Sequence, residues 1–176
     1  MTGVSENSLL SICNGINEHI KKRIKRLQII KNNDKIPKKI KKKNELLINR
    51  KISNQVDDMQ WKSISYLVNN YNTILLGDMS AKSIVSNYNN CLNKTQKTAC
   101  LRTKYYQFQQ RLEYKCKINN INYNLINEAY TSKTCSICAI IKEDLGKSKI
   151  YICDKCNNVI DRDINGARNI YIKSLI

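Results

Sequence analysis

Two Cys-x-x-Cys pairs near the end of the chain have the residue types and the spacing of a metal site. The pairs are Cys135/Cys138 and Cys153/Cys156, with fourteen residues between them. Two-residue spacing lets both thiolates of a pair reach one ion, and a second pair one short hairpin away completes a tetrahedral site of the zinc-ribbon kind. Four thiolates leave no open coordination position, so the Zn²⁺ that we expect here is structural and not catalytic.

The same four cysteines could instead form two disulfides, or be buried thiols with no common ligand. Disulfides need an oxidising compartment, and the N-terminus lacks the apolar core and cleavage site of a secretory signal. We therefore expect zinc, and an intracellular protein of a reducing compartment, the cytoplasm or the nucleus, that is not secreted. Four other cysteines have no ligand spacing and are predicted to be small apolar residues: Cys13, Cys91, Cys100 and Cys116.

The segment after the second pair (VIDRDINGARNI) places two acids directly before a helix-forming run. Either Asp161 or Asp163 could cap the helix, which is the usual role of Asp in that position. Either could instead be a carboxylate ligand of Mg²⁺ or Mn²⁺, which prefer oxygen donors. Spacing favours Asp163, because it immediately precedes the Ile-Asn-Gly-Ala run. The predicted inner face of this helix comprises Ala167, Ile170, Tyr171 and Leu175.

The stretch from Thr131 to Ile170 resembles the end of TnpB, the OrfB-type protein of insertion-sequence transposons. The TSKTCSIC opening, the two cysteine pairs and DRDINGARNI carry the resemblance. Fanzor proteins of eukaryotes and giant viruses, and the type V CRISPR effectors, share the pattern. The resemblance implies a RuvC-like nuclease domain of the RNase H fold with a zinc ribbon inserted before the last catalytic motif. It also implies a transposase-type, RNA-guided DNA endonuclease of a mobile element.

Nucleases of this fold hold two Mg²⁺ ions with carboxylates from three motifs, and the resemblance assigns the last motif to Asp163. The second motif of the family is an apolar strand that ends in Glu-Asp-Leu. This chain has Leu76-Gly77-Asp78-Met79, with glycine in place of the glutamate. The predicted replacement is Glu128, at the end of the next predicted strand, with Asp78 as its second choice, and Asp161 is the second choice for the acid of the last motif. The alternative is that Glu128 is an ordinary surface glutamate.

The first acidic motif of the family, an Asp-Pro-Gly at the end of the first strand, has no match. Here Met1-Thr2-Gly3-Val4 resembles the sequence just after that motif, and the first Asp of the chain is Asp34. We therefore expect a chain that lacks the central strand and the N-terminal domains for DNA and guide-RNA recognition. Such a chain should hold catalytic metals weakly and be inactive alone, unless an N-terminal half is supplied in trans. The alternative is a non-catalytic basic zinc-ribbon protein that binds DNA or RNA.

The charge of the chain suits a polyanionic partner. The net charge is +17, from 31 Lys and Arg against 14 acids, and with a zinc ribbon the expected partners are DNA and guide RNA. Between Lys21 and Lys51 lie 14 basic residues and two acids. This stretch is either a solvated helical hairpin or a sequence-independent phosphate contact. A membrane partner is not expected, because no apolar stretch approaches the roughly 18 residues of a spanning helix.

Hydrophobic periodicity predicts the elements that position these residues. Predicted helices run from Leu9 to Leu27, from Pro37 to Met59 with an interruption near Asn54, over Trp61 to Asn70, from Met79 to Ser86 and from Lys94 to Lys117. Predicted strands are Thr73 to Asp78 and Asn122 to Asn127. This order predicts an α/β fold with parallel strands, a partial RNase H-like (RuvC-like) domain with a basic helical hairpin and an inserted zinc ribbon.

The predicted domain boundaries follow the chain. Residues 1–130 are predicted to form a partial RuvC-like domain that includes a basic helical region at 9–70. Residues 131–160 form the zinc ribbon, and 161–176 contain the last RuvC motif and the C-terminal helix.

Overall fold

A computed structural model of the 176-residue protein defines residues 2–5, 9–11, 15–79, 93–146 and 148–176. The chain divides into two compact units, each made of separate stretches of sequence. Unit 1 contains Met1–Ile12, Tyr71–Met79 and Asn120–Ile176. Unit 2 contains Cys13–Asn70 and Ser80–Asn119.

Unit 2 is helical where it is described. Its helices are α1 (Ile16–Asn32), α2 (Lys38–Asn70), α3 (Lys94–Arg102) and α4 (Tyr105–Ile118). Three- and four-residue steps place the apolar residues of α1 and α2 on facing sides, where α3 joins them. The core of these three helices comprises Ile20, Ile24, Ile52, Val56 and Ala99.

The first two helices differ from the prediction at their ends. Residues Leu9–Ser11 form a strand, β2, that pairs antiparallel with β1 (Thr2–Val4), so α1 begins only at Ile16. Strand pairing here overrides a helical pattern of apolar residues. The predicted interruption near Asn54 is also wrong, because α2 runs without a break for 33 residues.

The predicted helix from Lys94 to Lys117 is two helices. Lys104 adopts the left-handed conformation, with φ 52° and ψ 48°. The side chain of Gln60 donates from Nε2 to the carbonyls of Thr103, at 2.8 Å, and Lys104, at 3.2 Å. The contact with Thr103 satisfies a main-chain acceptor just after α3, whereas the carbonyl of Lys104 also accepts the N–H of Phe108, the first bond of α4. The helix predicted from Met79 falls, after its first residue, outside the described residues.

Unit 1 contains the strands that the sequence predicts. β3 (Thr73–Gly77) and β4 (Asn122–Ile126) pair in parallel, with Gly77 opposite Ile126. β5 (Ile150–Ile152) and β6 (Val159–Asp161) form an antiparallel hairpin, and α5 (Arg162–Lys173) follows directly. The helix α5 packs against β1, β3 and the hairpin. The predicted mixed α/β class with parallel strands is confirmed.

None of the helices in the described part of the chain is both long enough and apolar enough to cross a membrane.

Candidate metal centre and acidic strand ends

The four cysteine sulfurs come together in unit 1. All four Sγ atoms lie within 4.8 Å of one another. Cys135 Sγ lies 3.6 Å from Cys156 Sγ, and Cys138 Sγ lies 3.5 Å from Cys153 Sγ. A tetrahedral zinc with bonds of about 2.3 Å requires sulfurs about 3.8 Å apart, whereas a disulfide requires about 2.05 Å. The cluster could therefore hold a metal ion such as zinc, and it contains no disulfide.

Both cysteine pairs have the same backbone geometry. In each, the fourth residue after the first cysteine donates its N–H to that cysteine's carbonyl, from Ala139 at 3.0 Å and from Asn157 at 3.0 Å. Both residues have positive φ, 59° and 54°. This turn brings main-chain N–H groups close to the sulfur of the first cysteine. Such N–H groups stabilise the thiolate, which is the form of cysteine that binds a metal ion.

The pKa values of the thiols indicate that the cluster favours binding of a cation. The backbone N–H groups of Cys156 and Lys155 lower the pKa of Cys153 to about 6. The N–H of Asn158 lowers the pKa of Cys156, but burial and the three neighbouring sulfurs outweigh it and raise that pKa to about 12. Four thiols this close together do not all lose their protons easily, because the resulting thiolates repel one another. A bound divalent cation compensates that negative charge.

Asp78 and Glu128 meet where the two parallel strands end. The N–H of Asp78 donates to the carbonyl of Ile126 at 2.9 Å and extends the β3–β4 pairing by one residue. The N–H of Glu128 donates to Asp78 Oδ1 at 2.9 Å, and Asn127 Nδ2 donates to Asp78 Oδ2 at 3.4 Å. Burial and then the neighbouring charge of Asp78 raise the pKa of Glu128. At the strand ends, Glu128 therefore lies close enough to Asp78 for the charge of one carboxylate to act on the other.

The carboxyl group of Glu128 lies over Gly77. A Cβ built on Gly77 would collide with Oε1, Cδ and Cγ of Glu128. The glutamate side chain therefore occupies the space in which a side chain at position 77 would begin. Glycine at this position and a carboxylate from position 128 fit together sterically.

Asp161 and Asp163 have different surroundings on α5. Asp161 is the N-cap, and its Oδ1 accepts the N–H of Asp163 at 2.8 Å and of Ile164 at 3.3 Å. Asp163 is exposed on the first turn of the helix. The capping interpretation therefore fits Asp161, and Asp163 presents its carboxylate to solvent.

The structure does not gather these carboxylates into one site. Among residues 2–5, 9–11, 15–79, 93–146 and 148–176, the cysteine cluster is the one group of three or more potential ligand side chains. Lys173, on the last turn of α5, donates from Nζ to the carbonyls on either side of Glu128, those of Asn127 and Ala129. Asp163 lies ten residues earlier on α5, which is about 15 Å along the helix axis.

Two residues that sequence reasoning missed lie between these positions. Asn165 and Asn169 are 0% and 5% exposed, whereas Tyr171 and Leu175, predicted for the inner face, are 53% and 68% exposed. The signal was the Asn-x-x-x-Asn spacing, which places both side chains on one face of a helix.

Unit 2 presents the basic residues of α1 and α2 to solvent. Four of them contact acids, in the pairs Lys21–Glu18, Lys31–Glu45, Lys41–Asp34 and Lys62–Asp58. Exposed basic side chains elsewhere on these helices and their connection include Lys22, Lys25, Arg26, Lys35, Lys38, Lys39, Lys42, Lys43, Arg50 and Lys51. The surface carries far more positive than negative charge, as a contact with phosphates requires.

Comparison with known proteins decides the family. The family described as "Cas12f1-like, TNB domain" matches residues 105–170. A TnpB-like protein of Acanthamoeba polyphaga mimivirus is 39% identical over 182 residues, which are 97% of this chain and 34% of that protein. The chain belongs to the TnpB-type family. A TnpB-like protein of Methanocaldococcus jannaschii is 30% identical over 127 residues, 68% of this chain and 43% of that protein.

A solved structure shows the fold of this TnpB-type chain. A cryo-EM structure of a Cas12f1–sgRNA–target DNA complex matches with a TM-score of 0.63 and 23% identity, over 93% of this chain and 43% of that one. The predicted partial RuvC-like fold is confirmed. The chain spans about a third of the length of its mimivirus relative.

Proposed function

We propose that this TnpB-type chain is the zinc-ribbon part of an RNA-guided DNA endonuclease and that by itself it binds nucleic acid without cutting it. The exposed basic surface of α1 and α2 carries the proposal. The structural neighbour contains guide RNA and target DNA, which supports the same partner class. Contacts from lysine to phosphate do not depend on base sequence, so this surface supplies affinity and not target choice.

In this proposal the four cysteines hold a structural Zn²⁺. Glu128 takes the place of the strand-end glutamate, and Asp163 is the acid of the last motif. The steric fit of Glu128 over Gly77 supports its assignment. The exposed position of Asp163 on the first turn of α5 supports the other.

The expected lack of cleavage follows from the number of carboxylates. Two-metal cleavage needs carboxylates from several elements converging on the ions. The sequence offers two at matching positions, and among the described residues no three carboxylates lie together. We expect the chain to bind Mg²⁺ or Mn²⁺ weakly unless a further acid is supplied in trans.

The experiment measures binding of the zinc-loaded chain to a fluorescent DNA duplex and to an RNA hairpin, with and without added Mn²⁺. Binding without Mn²⁺, tighter binding with it, and no cleavage are expected. The gain from Mn²⁺ should vanish in the double variant Glu128→Gln/Asp163→Asn. It should persist in the matched control Glu113→Gln/Asp58→Asn, which changes two exposed acids of unit 2. Cleavage that the first double variant abolishes would overturn the proposed inactivity.

The second candidate is a non-catalytic basic zinc-ribbon protein. Among the described residues no three carboxylates come together, and this favours it. In that case Glu128→Gln/Asp163→Asn should bind nucleic acid at least as tightly as the wild type, because removing acids reduces repulsion from phosphate. Mn²⁺ would then act on both proteins only as a screening ion.

A further inference from the structure

The two asparagines of DRDINGARNI hold the first cysteine knuckle against α5. Asn165 accepts the N–H of Ser136 on its Oδ1 at 3.0 Å and donates from Nδ2 to the carbonyl of Thr134 at 2.7 Å. Ser136 lies between Cys135 and Cys138. This side chain therefore contacts the main chain of the knuckle on both sides of Cys135, with both ends of its amide in use.

Asn169 and Lys173 continue the same contact along the helix. Asn169 Nδ2 donates to the carbonyls of Thr131, at 2.8 Å, and Thr134, at 2.7 Å. Lys173 Nζ donates to the carbonyl of Ala129 at 2.7 Å. Four-residue steps put Asn165, Asn169 and Lys173 on one face of α5. That face binds the main chain from the neighbourhood of Glu128 to the first knuckle.

We propose that Asn165 and Asn169 are positioning residues that couple metal binding by the cysteines to the placement of α5. A metal on Cys135 and Cys138 fixes the main chain that both asparagines bind. If the knuckle moves, two buried amides lose their partners, so α5 is held less firmly when the metal is absent. Because Asp163 lies on α5 and Lys173 binds beside Glu128, the zinc site sets the positions of both acids.

The coupling is reciprocal, and this makes it measurable. If zinc orders α5, then an ordered α5 must strengthen zinc binding by the same factor. Residues that orient metal ligands through hydrogen bonds typically change metal affinity by about 10- to 100-fold when mutated. The catalytic meaning of the coupling rests on the proposed function, whereas the coupling itself rests on these contacts alone.

The test measures the Zn²⁺ affinity of the full chain by competition with a chelator, and amide hydrogen exchange of α5 with and without Zn²⁺. Asn165→Ala and Asn169→Ala should each weaken zinc binding by about 10-fold or more. Arg168→Ala, an exposed side chain on the same helix, should leave the affinity unchanged. In the wild type, zinc should slow amide exchange over residues 164–170. In the double variant Asn165→Ala/Asn169→Ala, zinc should have little effect on that exchange.

Asn165→Asp separates positioning from general destabilisation. It keeps the size and the Oδ1 acceptor for Ser136 but removes the donor to Thr134, so zinc should still bind, more weakly, and should protect α5 less. Exchange over α1 and α2 reports in the same sample whether the rest of the chain is folded. Equal zinc affinity and equal protection of α5 in the wild type and in all four asparagine variants would overturn the inference. No nucleic acid is present, so failure of the proposed function would leave this result untouched.

Discussion

At the scale of single residues, one glycine explains where a carboxylate lies. The family motif predicts glutamate at position 77, and this chain has glycine there. Glu128 reaches across from the neighbouring strand end and fills the vacated space. Its main-chain N–H is fixed by Asp78, so the side chain starts from a defined position. Asp78 thus helps to position Glu128 and also raises its pKa.

Gly77→Ala tests this arrangement. The added Cβ would collide with the end of the Glu128 side chain, and that flexible end can move aside. We expect the free energy of unfolding to change by less than about 1 kcal/mol. The pKa of Glu128 should fall toward its ordinary value of 4.5 as the carboxyl group regains solvent. Carboxyl carbon NMR titration measures this shift, and Gly166→Ala, with open space around it, is the control that should leave it unchanged.

The raised pKa of Glu128 predicts how stability depends on pH. Because the folded state binds this proton more tightly than the unfolded state, stability falls as pH rises from the ordinary value of 4.5 through the raised pKa. Glu128→Gln removes that loss. The variant should therefore gain stability relative to the wild type at neutral pH, and the gain should vanish below about pH 4. Urea unfolding at pH 4 and pH 7 measures both, and equal gains at the two values would contradict the assignment.

The sequence predicts these residues unequally. The cysteine spacing and the strand-end position of Glu128 are local signals, and the structure brings the corresponding side chains to one cluster and one strand edge. Asn165 and Asn169 could not be predicted from hydrophobic periodicity, because buried polar residues break the pattern on which it relies. Their partners are main-chain atoms 31 and 38 residues earlier, and no local rule identifies those.

At the scale of elements, hydrogen bonds between helices decide where α3 and α4 separate. Neither glycine nor proline marks the junction at Thr103 and Lys104. Gln60 of α2 binds the carbonyls there, and Arg111 of α4 binds both Gln60 Oε1, at 2.7 Å, and Asp57 Oδ1, at 2.8 Å. A tertiary network of this kind is invisible to a prediction that uses only local sequence. The strands β3 and β4 were predictable because their apolar runs are short and flanked by polar residues.

Asp57→Asn tests that network. Burial raises the pKa of Asp57, but the hydrogen bond from Arg111 and the charge of Lys104 outweigh it, and the net pKa is lowered. The carboxylate therefore contributes stability above its ordinary pKa of 3.8, and this contribution is lost as the pH falls through the lowered value. We expect a loss of about 1 to 3 kcal/mol at pH 7, because Arg111 loses its charged partner.

The control is Asp58→Asn, one residue along α2. Asp58 pairs with Lys62, and the two side chains are 61% and 76% exposed. Exposed pairs contribute little, so this variant should change the free energy of unfolding by less than about 0.5 kcal/mol. Urea unfolding of both variants at pH 7 decides the matter. Similar losses for the two would show that the Asp57 contacts are not a specific link between α2 and α4.

At the scale of the whole molecule, the chain passes more than once between the two units, because each unit is made of separate stretches of sequence. Strand β3 enters unit 1 after the long helix of unit 2, and β4 returns to it after α4. The predicted alternation of helix and strand reflects this path, and the parallel pairing of β3 with β4 is its consequence. The boundaries predicted at 130 and 160 remain predictions. The net charge of +17 belongs to this scale too, because it acts on a polyanion through its summed field.

The measurement that tests the central claim most directly is the salt dependence of nucleic-acid binding by the zinc-loaded chain. The logarithm of the association constant for a DNA duplex should fall linearly with the logarithm of salt concentration, with a slope near −5, for about five or six phosphate contacts. Lys39→Gln/Lys42→Gln/Lys43→Gln on one exposed face of α2 should reduce the steepness by about 2 to 3. Lys62→Gln, whose partner is Asp58, should not change it. Binding that ignores salt, or a triple variant with the wild-type slope, would contradict the assignment of the basic surface to nucleic acid.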